Sequence, residues 1–579
     1  MKSNKINIFA LGLAAVSFAS CSDFLDKTPD DRTEIDSEIK VVDLLKTSYP
    51  DANYQWLCEL SSDNMIDNNT PHVPYDSDKN QKETHYNLSP YGREDDELFK
   101  FEPTITSTYN TSDSPNSFWS GIYASVASVN HALEAIDKIG GTDNAKLSAK
   151  LRAAKGEALL IRAYDHFLLV NIFSPIYKDA EASKLDKGVP YVTEVERNVH
   201  VNYSRGTVFD TYEKIEKDLL EGLSLITDDN YQMPKYHFNV NAAHAFAARF
   251  YLYKREYEKV IEHANAVLGT DPADAANMLM DYSIFTDCSY SSDFANAWQN
   301  PSLNNNLMLV TTYSILMRRA LGNRYSTNSL AAREIFYHVG PTWPRWKANP
   351  TIIVGGMFAR DSEYGYAPGK ASEQFQYTNK VSGIGFAHTV VRAFTSTNLI
   401  LERAEAKVML GRYDDALADI IAYDTNRQTF SEADRNSYFS GGGMIEPSWD
   451  VYKPYYEPVK NKPLKPNCFA NWDFTQGVSA SFVVPKEAVI YMNIINDMRR
   501  SENWMEGLRF FDLKRWGMGV KHQVGVGRDI YELKPNDDKF AIEVPWEALS
   551  AGLESSHSTV SAGAPVTRAT FDKDELMVK

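Results

Sequence analysis

The chain has few cysteines for its length. Of 579 residues only four are cysteines, and no two of them stand at the spacing of a metal-ligand pair. Cys21 belongs to an N-terminal segment of its own, which leaves Cys58, Cys288 and Cys468 at distant positions. Three thiols cannot form a disulfide framework for a fold of this size. We expect buried or half-buried free thiols, with a single disulfide as the alternative.

Long hydrophobic runs and net positive charge are also missing. No stretch after the N-terminal segment reaches the roughly 18 apolar residues that a membrane-spanning helix requires. Asp and Glu outnumber Lys and Arg by 77 to 60, which gives a formal charge of −17. Because such an acidic chain disfavours phosphate-backbone ligands, we expect no nucleic-acid partner.

Motifs for catalysis and cofactor binding are absent as well. The sequence contains no His-Glu-x-x-His zinc motif, no Gly-x-Ser-x-Gly nucleophile elbow and no phosphate-binding Gly-Lys-Ser/Thr loop. We therefore predict no catalytic residue, no cofactor and no metal ligand. Carboxylates are abundant, so counting them does not exclude a pair of glycosidase type.

One segment copies the start of a calcium-binding loop. Asp76, Asp78 and Asn80 are spaced like the first ligands of that loop. However, Gln81 stands where the loop needs Gly, and Asn87 stands where it needs a bidentate Glu. Both changes remove residues that set the coordination geometry, so we expect a solvated turn.

The N-terminal segment has the layout of an export signal. A short basic start is followed by the apolar run Ile6–Phe18 and by small residues directly before Cys21. This pattern is typical of a bacterial lipoprotein, with plain secretion and a chance cysteine as the alternative. We expect residues 1–20 to be a signal peptide, Cys21 to carry lipid, and residues 21–37 to form a flexible tether.

Helical periodicity dominates much of the remaining chain. Apolar residues recur at three- and four-residue steps from Ile122 to Ile136, from Leu147 to Ile161 and from Val208 to Leu223. Two further segments fit tetratricopeptide helix pairs, with simple amphipathic hairpins as the alternative. Their diagnostic residues are Ala248, Tyr257, Ala264 and Pro272, then Ala404, Gly411, Tyr413 and Ala416. The expected fold is mainly α, a tetratricopeptide-like helical-repeat (α-solenoid) scaffold with a loop-rich half that carries short strands.

Loop-rich regions interrupt this helical pattern. We expect a helical region over residues 38–275, which includes a polar stretch from Asp63 to Asn116. An aromatic-containing, loop-rich excursion follows over residues 276–395, with a β-like run from Leu307 to Tyr313. Residues 396–579 then form a C-terminal region.

The most specific stretch lies near the C-terminus. Glu506 and Arg509, and likewise Asp512 and Arg515, have opposite charges three residues apart, so on a helix each pair would interact. The whole stretch reads Glu-Gly-x-Arg-Phe-Phe-Asp-Leu-x-Arg-Trp-Gly over residues 506–517. It resembles the C-terminal signature of the SusD/RagB family of nutrient-binding surface lipoproteins.

Other segments resemble the same family in the same order along the chain. They are Cys21–Asp26, Phe118–Asn130, Arg162–Tyr164 with its continuation to Phe173, Gly188–Pro190 and Leu399–Tyr413. The resemblance extends over nearly the whole chain after Cys21, except for the tail beyond about Ser550.

The resemblance implies a function and a location. Family members are non-catalytic lipoproteins on the outer face of the outer membrane, where they capture oligosaccharides and deliver them to a SusC-like TonB-dependent transporter. The RagB branch captures peptides, and a surface glycoside hydrolase is a less favoured alternative. The resemblance implies a structural role for the signature Arg509–Trp516.

Aromatic residues of the loop-rich regions are the candidate ligand contacts. Sugars bind through apolar faces stacked on aromatic rings, while Asn, Asp and Arg side chains bind their hydroxyls. The alternative for each ring is packing in the core or at the base of a loop. The candidates are Tyr75, Tyr86, Tyr91, Tyr290, Trp298, Trp343 and Trp346.

Overall fold

The structure is a computed structural model, and its helices account for most of the regular secondary structure described. It describes residues 34–72, 83–104, 112–197, 201–285, 287–332, 335–336, 357–361, 365–427, 447–456 and 482–557. The α-helices are α1 (Glu38–Leu45), α2 (Gln55–Leu60), α3 (Arg93–Phe99), α4 (Pro115–Gly140), α5 (Ala149–Phe173), α6 (Val208–Leu225), α7 (Val240–Lys254), α8 (Tyr257–Leu268), α9 (Pro272–Met278), α10 (Ser291–Trp298), α11 (Leu316–Ala320), α12 (Ser329–Ala332), α13 (Ser396–Met409), α14 (Tyr413–Arg427), α15 (Trp449–Tyr456), α16 (Val489–Glu502), α17 (Leu508–Trp516) and α18 (Trp546–Ser550). The strands are β1 (Ile66–Asp67), β2 (Asn306–Tyr313), β3 (Tyr325–Ser326), β4 (Met357–Asp361), β5 (Gly365–Pro368), β6 (Gln374–Asn379), β7 (Ile384–Thr395), β8 (Val520–Val524) and β9 (Asp529–Leu533).

Side-chain caps define where the long helices begin. Ser114 caps α4, with Pro115 as its first helical residue, and Ser148 caps α5. Thr207 and Asn239 accept backbone N–H groups at the starts of α6 and α7 in the same way. The predicted apolar stripes are confirmed, because α4, α5 and α6 bury them against one another. No helix in the described part of the chain is long and apolar enough to cross a membrane.

The two predicted tetratricopeptide-like helix pairs are present. Helix α7 packs on α8, and α13 packs on α14, with Ala248 and Ala404 fully buried. Gly411 lies in the turn of the second pair with φ +74°, and Arg255 takes the same left-handed region in the first, with φ +66°. Helix α8 also packs directly on α13, although about 130 residues separate them. The loop-rich excursion is therefore inserted between two neighbouring helix pairs, and the predicted mainly α fold is confirmed.

A three-stranded antiparallel sheet forms the centre of the excursion. Its strand order is β2-β7-β6, with Leu309 opposite Arg392 and Phe375 opposite Ala387. The β-like run predicted from Leu307 is thus confirmed as part of β2. Strand β6 lies at the edge of this sheet. A second, two-stranded sheet pairs β1 with β3 and so joins the early loop region to the excursion.

The C-terminal signature confirms one predicted ion pair and corrects the other. Asp512 and Arg515 interact within α17, with 2.9 Å between Oδ1 and Nε. Glu506 does not pair with Arg509, because α17 begins only at Leu508, after Gly507 turns the chain with φ +74°. Arg509 instead donates to both carboxylate oxygens of Asp63, over 2.6 and 2.8 Å.

The thiols described in the structure are unpaired. Cys58 is a buried free cysteine, and Cys288 is a half-buried one. Burial raises the pKa of both thiols, so neither is poised as a reactive thiolate. These two predictions are confirmed, whereas Cys468 lies outside the described residues.

Candidate functional site

Two loop regions that are far apart in sequence meet at one side of the helical scaffold. Arg324 donates to Asp67 over 2.9 Å and to Asp96 over 3.2 Å, which connects β3 to β1 and α3. The hydroxyl of Tyr325 also donates to Asp96. Since these ion pairs are partly buried, they fix the early loop region against the excursion.

Tyr91 is held over a buried arginine at this junction. The side chain of Arg319, in α11, is fully buried and donates to Asp95 over 2.7 Å and to the carbonyl of Ser112 over 2.9 Å. Burial raises the pKa of Asp95 to about 6, while Arg319 opposes that shift. The Arg319 guanidinium lies 4.6 Å from the centre of the Tyr91 ring, which remains 46% exposed. The ring is thus oriented before any ligand binds.

The segment that leads into β6 lies between α11 and α10. Arg318 donates to the carboxylate of Glu373 over 2.6 Å. The hydroxyls of Ser372 and Ser291 lie 3.1 Å apart, at the start of α10. These contacts make α10, α11 and the start of β6 direct neighbours.

Exposed aromatic side chains lie before α10 and on β6. Tyr290, just before α10, is 73% exposed. Phe375 and Tyr377, on one side of β6, are 46% and 53% exposed, and their ring centres lie 4.9 Å apart. We call Tyr91, Tyr290, Phe375 and Tyr377, exposed rings on or beside elements that contact one another, the aromatic face.

A glycine on the neighbouring strand makes room for this ring pair. A Cβ atom on Gly385 would lie 2.7 Å from the Phe375 ring and 2.1 Å from the carbonyl oxygen of Gln376. Only glycine fits there, and the Phe375 ring covers it. This is the arrangement in which an aromatic ring compensates for a glycine in a strand.

Amide side chains contact one another at the start of β6. Gln374 approaches Gln299 over 3.2 Å and Asn296 over 3.4 Å. Because side chains alternate along a strand, Gln374 points to the other side of β6 from Phe375 and Tyr377. Exposed rings, with amides and an arginine–carboxylate pair on neighbouring elements, offer groups that bind a polyhydroxylated ligand. In the ranges that the structure describes, no three His, Cys, Asp or Glu side chains are grouped to hold a metal ion.

Three of the predicted ligand contacts can be placed on or near this junction. Tyr91 and Tyr290 are exposed members of the aromatic face. Tyr86 is half-buried, with its ring centre 6.2 Å from that of His72. The predicted residues outside the described ranges are Tyr75, Trp343, Trp346 and the lipidation residue Cys21.

Trp298 does not offer a surface for stacking. Its side chain is only 2% exposed. The guanidinium of Arg392 lies 3.6 Å from its ring centre, and the ammonium of Lys370 lies 4.7 Å away. The prediction that Trp298 contacts ligand is therefore corrected: it closes a buried charged cluster at the end of α10.

Phe375 and Tyr377 are not among the ligand contacts predicted from the sequence, although the chain carries a local pattern that points to them. Residues 374–377 alternate polar and aromatic side chains, and a polar turn with Gly383 follows. That is the pattern of a hairpin with one aromatic side. The aromatic side of this hairpin is exposed because β6 is an edge strand. The alternation alone does not show which strand lies at the edge of the sheet.

A polar cleft of about 370 Å³ lies elsewhere, between α4, α5 and α6. Arg162 forms a double interaction with Asp218 at its base, over 2.7 and 2.9 Å. Lys155 pairs with Glu221 over 3.2 Å at its side. Because these charged groups are already paired with one another and no aromatic ring lines the cleft, the aromatic face suits a sugar better.

Comparison with known proteins gives a family match over part of the chain. Residues 23–252 match the SusD-like family described as starch-binding and associating with the outer membrane. A search of curated proteins found no match. The family match agrees with the resemblance that the ordered motifs predict.

Solved structures agree on the fold. A SusD superfamily protein from Bacteroides vulgatus ATCC 8482 is 15% identical with a TM-score of 0.53, over 90% of this chain and 99% of that one. A candidate sugar-binding protein from the same organism is 17% identical with a TM-score of 0.52, over 90% and 97% of the two chains. A SusD superfamily protein from Bacteroides thetaiotaomicron VPI-5482 is 14% identical with a TM-score of 0.52, over 90% and 96%.

Proposed function

We propose that this protein is a non-catalytic lipoprotein of the outer membrane that captures oligosaccharides outside the cell. It is anchored through Cys21 and delivers its ligand to a SusC-like TonB-dependent transporter. The family match, described as starch-binding and associating with the outer membrane, supports both the ligand class and the location. The motif layout before Cys21 supports the lipid anchor.

The aromatic face is the observation that carries the ligand class. Its exposed rings offer apolar faces, and the amides of Gln374 and Asn296 contact each other at the start of the same strand. The nearest guanidinium groups are paired with carboxylates, Arg318 with Glu373 and Arg319 with Asp95. The face therefore supports stacking on a sugar more than binding of a charged group.

Peptide capture of the RagB type is the second candidate, and one feature favours it. Strand β6 is an edge strand, and its residues from Phe375 to Asn379 are exposed. An extended peptide adds to such an edge through main-chain hydrogen bonds. A short peptide library should then compete with glycan for the same face.

A surface glycoside hydrolase is the third candidate, and it would instead release shortened products.

The test is binding of residues 22–579 to a panel of soluble glycans, with product analysis by chromatography. We expect binding without chain shortening. Tyr91→Ala, Tyr290→Ala, Phe375→Ala and Tyr377→Ala should each weaken affinity by roughly tenfold, or about 1.4 kcal/mol, because each removes a stacking surface. Trp546, 52% exposed at the start of α18 and not a member of the aromatic face, supplies the control Trp546→Ala, which should leave affinity unchanged.

Three outcomes would contradict the proposal. Shortened glycan products would make the protein a hydrolase. Unchanged affinity in all four face variants would move the site elsewhere. Binding of peptides alone would favour the second candidate. For the partner, purification from detergent-solubilised outer membrane should recover a large TonB-dependent transporter together with this protein.

A further inference from the structure

We infer that Glu506, at the start of the C-terminal signature, is a positioning residue for the aromatic face. This inference rests on the proposed function. Glu506 touches none of the face residues itself. It acts through two buried cations, Lys370 in the 3₁₀ turn before β6 and Arg392 in β7, the strand beside β6.

One carboxylate oxygen of Glu506 accepts from both cations. Lys370 Nζ lies 2.8 Å from Oε1, and Arg392 Nη2 lies 3.1 Å from the same atom. All three side chains are at least nine-tenths buried. Burial by itself would raise the pKa of Glu506, but the two positive charges outweigh it and hold this pKa below its usual range. The carboxylate beside the two cations is therefore ionised.

Each cation controls a different part of the face. Lys370 lies in the short 3₁₀ turn Gly369–Ala371, five residues before Phe375. Arg392 lies in β7 opposite Leu309 of β2, four residues beyond His388, which pairs with Gln374 at the start of β6. Fixing Lys370 therefore holds the turn that leads into β6, and fixing Arg392 holds the strand on which β6 is paired.

The same two cations also fix the helix that follows Tyr290. Trp298 is the last residue of α10, and its ring contacts the Arg392 guanidinium at 3.6 Å and the Lys370 ammonium at 4.7 Å. The Gln299 amide, directly after it, donates to the carbonyl of Lys370 over 3.4 Å. One carboxylate thus connects the 3₁₀ turn, β7 and α10, the elements that adjoin Tyr290 and the strand of Phe375 and Tyr377.

Removing that carboxylate leaves the two buried cations with only longer contacts to Glu502, whose carbonyl accepts from Lys370 over 3.4 Å and whose carboxylate lies 3.8 Å from Arg392. Burial already lowers the pKa of Lys370 to about 8, which shows how costly its charge is at this position. Without Glu506, the 3₁₀ turn and β7 lose the shorter of their two common contacts and should be held less firmly. The aromatic face would then be less ordered while the helical scaffold remains folded.

Hydrogen exchange of the full chain after Cys21 tests this directly, with Glu506→Gln as the variant. We expect amide exchange to accelerate by roughly tenfold in residues 369–395 and 288–299, and to stay unchanged in α4 and α5. Asp512→Asn is the matched control, because Asp512 is equally buried and pairs with Arg499 and Arg515 rather than with Lys370 or Arg392. It should leave both segments unchanged.

A second variant keeps the test decisive if Glu506→Gln does not fold. Lys370→Met removes one cation only and should accelerate exchange in residues 369–379, while Arg392 still holds β7. Unchanged exchange in both variants, or acceleration spread evenly over the whole chain, would overturn the inference.

Binding separates this inference from the proposed function. For any glycan that the wild-type protein binds, Glu506→Gln should weaken affinity by roughly tenfold at a temperature where the chain is fully folded. Asp512→Asn should bind like wild type. A wild-type protein that binds no glycan contradicts the proposed function, whereas unchanged affinity in Glu506→Gln contradicts only the positioning role.

Discussion

At the residue scale, this protein depends on buried ion pairs between segments far apart in sequence. Asp63 accepts from Arg509 through both carboxylate oxygens, and Arg500 lies 3.6 Å from the same carboxylate. Glu405 accepts from Arg515 over 2.6 Å and from the Trp516 indole over 3.0 Å. The charged residues of the C-terminal signature thus bind the loop region and the helical scaffold, which supports a structural role for Arg509–Trp516.

Breaking one such pair should be severe. Asp63→Ala leaves the fully buried Arg509 guanidinium without its carboxylate, so we expect the free energy of unfolding to fall by about 3–5 kcal/mol. Glu181→Ala, at an ion pair with Lys184 on the surface, is the control and should change it by less than about 1 kcal/mol. Denaturant unfolding measures both. A cost below 1 kcal/mol for Asp63→Ala would show that water or another acceptor replaces the carboxylate.

At the element scale, two glycines have the same φ angle but lie in different surroundings. Gly411 and Gly507 both have φ +74°. A Cβ on Gly411 would meet nothing within 4 Å, whereas one on Gly507 would lie 2.9 Å from the backbone of Gln55. Gly411 therefore serves only the turn between α13 and α14, while Gly507 also lets α17 approach α2.

Alanine at the two positions should separate these effects. Gly411→Ala carries only the cost of a left-handed conformation, about 1–2 kcal/mol of unfolding free energy. Gly507→Ala adds a steric clash with backbone and should cost clearly more, because α2 and α17 must move apart. Thermal unfolding of the two variants gives the comparison. Equal losses would mean that the clash at Gly507 relaxes without cost.

The element scale is also where sequence reasoning was most successful. The apolar stripes and the position of Gly411 were sufficient to place long helices, since periodicity and a turn glycine are local properties. The interaction predicted between Glu506 and Arg509 failed because Gly507 interrupts the helix between them. A spacing of three residues brings two side chains together only inside a continuous helix.

At the scale of the whole molecule, helix α17 contacts the end of α5, helix α13 and the early loop region, which are far apart in sequence. Lys514 donates to the carbonyls of Asn171 and Ser174 over 2.6 Å each, at the end of α5. Arg515 reaches Glu405 in α13, and Arg509 reaches Asp63 in the early loop region. The helical scaffold and the loop-rich half therefore share one set of buried contacts.

We expect the molecule to unfold as a unit. Urea unfolding followed by far-UV circular dichroism and by tryptophan fluorescence should give superimposable transitions. Lys514→Met removes two buried hydrogen bonds, so it should lower both midpoints together, at a cost of about 1–3 kcal/mol. A fluorescence change that precedes the loss of helix would show that the loop-rich half unfolds independently.

The sequence by itself determined the helical scaffold, the ion pair within α17 and the resemblance to a family, because periodicity and ordered motifs are local signals. The tertiary structure alone decided the candidate site. The aromatic face combines Tyr91 with residues about 200 and 280 positions later, and nothing in the intervening sequence specifies that approach. Tertiary packing also decided that Trp298 is buried while Phe375 and Tyr377 are exposed. Whether a ring packs or binds depends on which strand is at the edge of the sheet and which cations cover the ring, and both are properties of the assembled fold.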